Sequence, residues 1–226
     1  MPLILFGKKP QQPKRMTKSD LTKYAQKLSS LRICVDSEEA LQEKSGYDNG
    51  KQFSQQLYKN GVQKNLMDQW RSQKTEVNVL DGQYRNFDSS YAGREWAAYL
   101  RVRSPDATVL RVYPKDKTAS PEDILVQILI SLVVNMIRLV PAEFELPLPT
   151  PRKELFESLA EGGSLGIDYG LDILEYLPPL ESRGNMLCVV DGLRLADAGE
   201  NGKRVDEFKQ VLEKVLGRNQ ADLLYT

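Results

Sequence analysis

The 226-residue sequence contains no histidine, and this absence excludes more chemistry than any other feature of its composition. Without an imidazole, the chain cannot form a Ser-His-Asp or Cys-His catalytic group from its own residues. Metal sites that need a histidine ligand are excluded too, and two cysteines are too few for a structural zinc site. Any chemistry must use carboxylates, lysine, arginine, tyrosine, a bound ion or backbone amides.

The chain also has only two cysteines and no formal net charge. Cys34 and Cys188 cannot form a framework of several disulfides, so the composition favours a reducing, intracellular compartment, either the cytoplasm or the nucleus. Lys+Arg and Asp+Glu are equal at 31 each, so no net field attracts nucleic acid or an anionic membrane. The charge balance therefore predicts no membrane partner and disfavours nucleic acid, although a local basic patch remains open; the partner we expect is a protein.

Long apolar runs are limited to residues 124–140, which are marginal in length for a membrane span. Four polar residues recur at helical spacing within this run: Gln127, Ser131, Asn135 and Arg138. A helix that faces lipid would not need such a stripe. Because Ser120 and Pro121 form a typical helix start, the segment predicts a core helix over residues 121–140 that lies on a sheet.

The first third of the chain differs from the rest. Residues 1–16 are basic, contain proline and glutamine, and lack apolar spacing, which predicts a disordered tail. Residues 17–31 place apolar side chains on one helical face, behind Thr17 or Ser19 as a cap. Further amphipathic stretches continue to residue 75. We therefore predict a helical N-terminal region over residues 17–75, followed by a second region over residues 76–226.

Residues 186–193, with the sequence MLCVVDGL, are the centre of that second region. A short apolar run bounded by turn-forming residues predicts a strand buried on both faces. Asp191 stands at the carboxyl end of this strand, which is the edge where open α/β sheets bind ligands. Asp191 is therefore a candidate binding residue, and the alternative is that it only caps a turn.

Further strands are predicted over residues 76–80, 108–113 and 221–226, with a helix over residues 204–216 before the last one. Short helical pieces are predicted around a glycine-rich turn at residues 162–166. Strands that alternate with long helical connections pair in parallel. The predicted fold class is therefore α/β, a parallel sheet with flanking helices that follows the helical N-terminal region.

The order of these elements resembles the core of a P-loop NTPase of the signal-transduction type, the STAND or NACHT-like class common in fungal proteins. Residues 186–193 are similar to the Walker B strand, in which apolar residues precede Asp and a small residue. Residues 205–226 are similar to the helix and Thr-terminated strand that follow, and residues 108–140 to the second strand and its helix. The resemblance implies a three-layer, NTPase-like α/β domain over residues 76–226.

The phosphate-binding loop of that family is not recognisable. In the family, the first strand leads into a glycine-rich loop that ends in Gly-Lys-Ser/Thr, whereas residues 83–94 read QYRNFDSSYAGR. Residues 46–51, GYDNGK, are one residue short of such a loop, and no predicted strand precedes them. The resemblance therefore implies a non-catalytic, regulatory or protein-interaction module with an eroded loop, for which no cofactor is expected.

The alternative is an atypical ATP- or GTP-binding protein with slow or no hydrolysis. Asp191 would then bind magnesium, and the cofactors would be ATP and magnesium. Asp81, Ser89 and Ser90 would make polar contacts in the nucleotide site. Arg94 would replace the missing lysine, although its guanidinium is a planar fork and not a point donor.

Two further hypotheses stay open. The first is an unrelated α/β enzyme that uses the carboxylates of Asp81 and Asp191 at adjacent strand ends, for which a perturbed carboxyl pKa would be evidence. The second is a nucleic-acid-binding role for the basic tail, for which a steep salt dependence would be evidence. A protein partner would dock on the helical N-terminal third or on an exposed helix face.

Overall fold

The computed structural model describes residues 17–31, 77–79, 106–114, 116–144, 153–181, 185–219 and 221–225. The predicted tail and the predicted helical stretches between residues 32 and 75 lie outside these ranges. The described elements are, in chain order, α1 (Lys18–Leu31), β1 (Val77–Val79), β2 (Thr108–Val112), α2 (Pro121–Arg138), α3 (Lys153–Glu161), α4 (Gly163–Tyr176), β3 (Met186–Val190), α5 (Leu193–Ala196), a 3-10 turn (Gly199–Asn201), α6 (Gly202–Arg218) and β4 (Ala221–Tyr225).

The four described strands form one parallel sheet in the order β1-β4-β3-β2. The connections from β2 to β3 and from β3 to β4 run in the same direction across the sheet. When consecutive right-handed connections cross a parallel sheet in the same direction, their helices lie on the same face of the sheet. In agreement, α4 contacts both α2 and α6. The prediction of a mixed α/β fold with a parallel sheet and flanking helices is therefore confirmed.

Helix α2 lies at the centre of the core and contacts α1, α4 and β2. It begins as predicted, because the Ser120 hydroxyl accepts a hydrogen bond from the Asp123 amide at 3.1 Å and Pro121 occupies the first turn. Eleven of its residues are buried, and it ends at Arg138. None of the described helices is both long and apolar enough to cross a membrane.

Strand β3 is buried along its whole length, as the apolar run predicts. Its alternate residues Met186, Cys188 and Val190 belong to the main hydrophobic core. Leu187 and Val189 point to the other side of the sheet and are buried there, at 3% and 0% exposed. The sheet therefore has two covered faces at β3.

Helix α1 agrees with the prediction for residues 17–31. The Thr17 hydroxyl accepts a hydrogen bond from the Asp20 amide at 3.2 Å, which caps the first turn. Three apolar residues of one face, Leu21, Ala25 and Leu28, are buried in the same core as α2 and β3. The Tyr24 and Phe156 rings, 5.0 Å apart between centroids, join α1 to α3.

The glycine-rich turn is shorter than the predicted residues 162–166, because α4 begins at Gly163. Gly162 and Gly163 have φ angles of 81° and 70°, and they alone make the reversal between α3 and α4. Gly166 lies inside α4, where a Cβ atom would stand 2.9 Å from the carbonyl oxygen of Ser158 in α3. This glycine therefore allows two helices to approach closely and does not form a flexible loop.

Candidate functional site at the carboxyl edge of the sheet

Asp191 follows β3 directly and is the one charged residue of the described part of the chain that is fully buried. Its amide donates a hydrogen bond to the carbonyl oxygen of Val112 at 2.9 Å. This bond extends the β2–β3 pairing by one residue beyond the strand. The backbone thus places the carboxylate at the carboxyl edge of the sheet, where the sequence predicted it.

Arg111 of β2 is the partner of this carboxylate. Its Nε and Nη2 atoms both donate to Oδ2 of Asp191, at 2.8 and 2.5 Å. Arg111 lies opposite Val189 in the register, so its side chain is on the same face of the sheet as Val189 and Asp191. A long side chain can reach this diagonal neighbour on the adjacent strand.

The ion pair is enclosed. The side chain of Arg111 is 9% exposed and that of Asp191 is 0% exposed. The guanidinium carbon of Arg111 lies 4.8 Å from the centroid of the Tyr113 ring, a cation–π distance. Removing one partner of such a buried pair costs about 3–5 kcal/mol, because the other charge is left without compensation. The pair therefore ties β2 to β3.

Gly192 turns the chain away from the sheet directly after Asp191. Its φ angle of 80° is in the left-handed region, which glycine adopts at little cost. Helix α5 begins at the next residue, and Leu193 is buried. The small residue after the acid thus has a structural reason that does not depend on any ligand.

The structure places one of the five predicted site residues. Asp191 is at the sheet edge, whereas Asp81, Ser89, Ser90 and Arg94 lie outside the described residues. Sequence reasoning missed Arg111. A signal for it was present, because an arginine inside a half-buried strand requires a charged or aromatic partner, but the identity of that partner depends on the register.

A magnesium ion bound to Asp191 would need oxygen ligands in nearly ideal octahedral geometry, usually with several waters. The Oδ2 atom of Asp191 instead accepts two hydrogen bonds from a cation of the protein itself. In the described ranges, no three acidic or cysteine side chains are close enough together to hold a metal. A metal ion at Oδ2 would therefore have to displace the guanidinium of Arg111 or bind beside it.

A cavity of about 410 Å³ lies elsewhere, between α1 and α3. Tyr24 and Phe156 line it together with Glu157, whose Oε1 atom is 2.9 Å from the Nζ atoms of both Lys27 and Lys153. Hydrogen bonds from Lys27 and then Lys153 hold the pKa of Glu157 below its usual value. This cavity has an apolar floor and a charged rim.

Comparison with known proteins gives no relative: no protein family, curated protein or solved structure that was searched matches the chain at a significant level. At the described sheet edge, the carboxylate of Asp191 is paired with Arg111, and the pair joins β2 to β3.

Proposed function

We propose that the chain is a non-catalytic, NTPase-like module that acts by binding or regulating another protein inside the cell. The observation that carries the proposal is the double hydrogen bond from Arg111 to Oδ2 of Asp191. In the resembling STAND class, the corresponding acid serves magnesium and nucleotide. Here that acid is already bound to a guanidinium, so its role is to hold the sheet together.

The arrangement of the sheet supports the NTPase-like part of this proposal. Four parallel strands, with α2, α4 and α6 on one face, place a buried strand and its terminal acid next to the centre. The burial of Leu187 and Val189 on the opposite face supports a third layer there. The central strand with its terminal acid and the burial on the opposite face both agree with a three-layer fold. Such a fold would retain a Walker-B-like strand although its function has changed.

The sequence between β1 and β2 supports the non-catalytic part. Residues 83–94 contain no lysine to reach the β- and γ-phosphates and no Ser/Thr after a Gly-Lys pair to hold magnesium. Backbone amides can cradle a phosphate only if the chain approaches it closely, and bulky residues such as Tyr84 and Phe87 oppose this approach.

The proposed partner is a protein. Two large apolar side chains, Leu165 at the start of α4 and Leu195 in α5, are 58% and 39% exposed. The α1–α3 cavity adds an apolar floor within a charged rim. Apolar groups surrounded by polar ones are typical of protein–protein contacts. The buried free thiol of Cys188 suits an intracellular location.

The second candidate function is atypical nucleotide binding without rapid hydrolysis. The position of Asp191 favours it, because ligands of open α/β sheets bind outside the carboxyl ends of the strands. For this function, ATP or GTP with magnesium would have to displace Arg111 from Oδ2 or bind beside the ion pair.

Thermal unfolding of the full chain with millimolar MgATP, MgADP or MgGTP tests the proposal. A ligand that binds only the folded state raises the midpoint by mass action. We expect no change beyond that caused by magnesium sulfate at equal ionic strength. A saturable rise in the wild type would contradict the proposal and establish the second candidate function.

Two variants show where the nucleotide binds if it raises the unfolding midpoint. Asp191→Asn removes the charge of the buried acid, and Asp197→Asn removes an exposed acid from the segment after α5. A nucleotide effect that is lost in Asp191→Asn and kept in Asp197→Asn would place the nucleotide at the sheet edge. Equal effects in both variants would indicate binding elsewhere on the chain.

A further inference from the structure

We propose that Arg111 is a built-in cation for Asp191, and that the space of its guanidinium becomes a binding site for free guanidinium-type cations when the side chain is removed. This inference rests on the proposed function, because it explains why the sheet edge needs no metal ion. It assigns to Arg111 the role of a positioning residue that neutralises and holds the acid.

The geometry of the contact supports this role. In the usual bidentate pair, two guanidinium nitrogens bind two different carboxylate oxygens. Here Nε and Nη2 of Arg111 converge on the single atom Oδ2, at 2.8 and 2.5 Å. The positive charge is thus centred on one oxygen, as the charge of a bound ion would be.

Burial makes a cation necessary at this place. An isolated carboxylate is costly in a protein interior, and Asp191 is 0% exposed. Arg111 supplies the compensating charge from the neighbouring strand, and its own side chain is 9% exposed. The Tyr113 ring, 4.8 Å from the guanidinium carbon, provides a flat surface that suits a planar cation.

The carboxylate is held in place independently of Arg111. The Asp191 amide is bonded to Val112, and the left-handed turn at Gly192 leads at once into α5. Truncation of Arg111 to alanine therefore leaves the acid and the Tyr113 ring near their present positions. The space between them has the shape of the group that was removed, and the carboxylate beside it supplies a negative charge that complements a cation.

Chemical rescue of Arg111→Ala tests the inference. Its unfolding midpoint is measured as guanidinium chloride is added at millimolar concentrations, far below those that denature proteins. Tetramethylammonium chloride, which has the same charge but no N–H donors, is the matched control ion. At about five times the Kd, mass action raises the midpoint of a chain of this size by roughly 2–4 °C.

The expected result is a saturable rise for Arg111→Ala with guanidinium, no rise with tetramethylammonium, and no rise for the wild type. The double variant Arg111→Ala/Asp191→Ala should not respond, because the acceptor is gone. If guanidinium changes the unfolding midpoints of the single and the double variant equally, the inference is overturned. If Arg111→Ala is unfolded, the same titration is followed as recovery of helical circular dichroism, and failure to recover overturns it equally.

Failure of the proposed function and failure of the inference about Arg111 give different experimental results. Saturable MgATP binding to the wild type refutes the proposed function whatever the rescue shows. If guanidinium does not raise the unfolding midpoint of Arg111→Ala, and nucleotide does not raise that of the wild type, the inference about Arg111 is refuted. The proposed function then remains in place.

Discussion

A Cβ atom on Gly192 would stand 2.8 Å from Cδ of Pro114, so the turn after β3 and the chain leaving β2 touch at a place with no room for a side chain. Gly192 also has a φ angle of 80°. Both constraints act on the residue next to Asp191, and they fix the direction in which the chain leaves the sheet edge.

We predict that Gly192→Ala destabilises the fold by about 2–4 kcal/mol. The left-handed backbone costs an alanine roughly 1–2 kcal/mol, and the contact with the rigid Pro114 ring adds an overpacking cost. Urea unfolding measures the loss.

Two other glycines separate the causes of that loss. Gly199 has a φ angle of 71° but no atom within 4 Å of its would-be Cβ, so Gly199→Ala should cost only about 1–2 kcal/mol. Gly217 is in α6 and is equally open, so Gly217→Ala should stabilise by about 0.5–1 kcal/mol. If Gly192→Ala and Gly199→Ala cost the same, the Pro114 contact has no energetic role.

Glu157 should make the stability of the α1–α3 contact depend on pH. Its pKa is lowered from 4.5 by hydrogen bonds from Lys27 and Lys153. A lowered acid pKa stabilises the folded state above the unfolded pKa, and this contribution is lost as the pH falls through the lowered value. We expect Glu157→Gln to be less stable than the wild type at pH 7 and equally stable at strongly acidic pH.

Glu143→Gln is the control for this effect. Glu143 is an exposed acid after α2, and no ion pair involves it in the described part of the chain. Urea midpoints from pH 7 to pH 3 should converge for Glu157→Gln and the wild type, and should stay parallel for Glu143→Gln. A difference at Glu157 that did not change with pH would show that packing, and not charge, is responsible.

Cys188 should be unreactive while the chain is folded. Burial raises the pKa of its thiol from 9.0 to about 12, and the thiolate is the reactive form. Because the thiol pKa is higher in the folded chain than in the unfolded chain, the contribution of Cys188 to folding stability is fully present below pH 9.0. This contribution is lost as the pH rises from 9.0 toward 12. A thiol reagent at pH 8 should therefore label Cys188 only at the rate at which the chain opens.

The labelling is done in a Cys34→Ser background, so that Cys188 is the only thiol. Rapid labelling in the absence of denaturant would contradict the buried position of Cys188 in β3. Cys188→Ala in the same Cys34→Ser background supplies the second control: its stability should fall less steeply above pH 9.0 than that of the Cys34→Ser chain. Other alkaline groups titrate in both chains, so the difference belongs to Cys188.

The local elements were predictable from the sequence alone. Apolar spacing and end signals determine α1, α2 and β3, because a helix start such as Ser120-Pro121 and a five-residue apolar run depend only on nearby residues. The same local patterns implied parallel pairing, since a long helical connection must separate consecutive parallel strands. Asp191 at a strand end followed from this reasoning as well.

The tertiary structure decided which residue Asp191 pairs with. Arg111 and Asp191 are 80 residues apart, and they meet because the register places Arg111 opposite Val189 on the same face of the sheet. The strand order β1-β4-β3-β2 and the contact of Gly192 with Pro114 also join distant parts of the chain. Spacing along a sequence reports which residues share a face of one element, but charge pairing and close approach depend on which elements are neighbours.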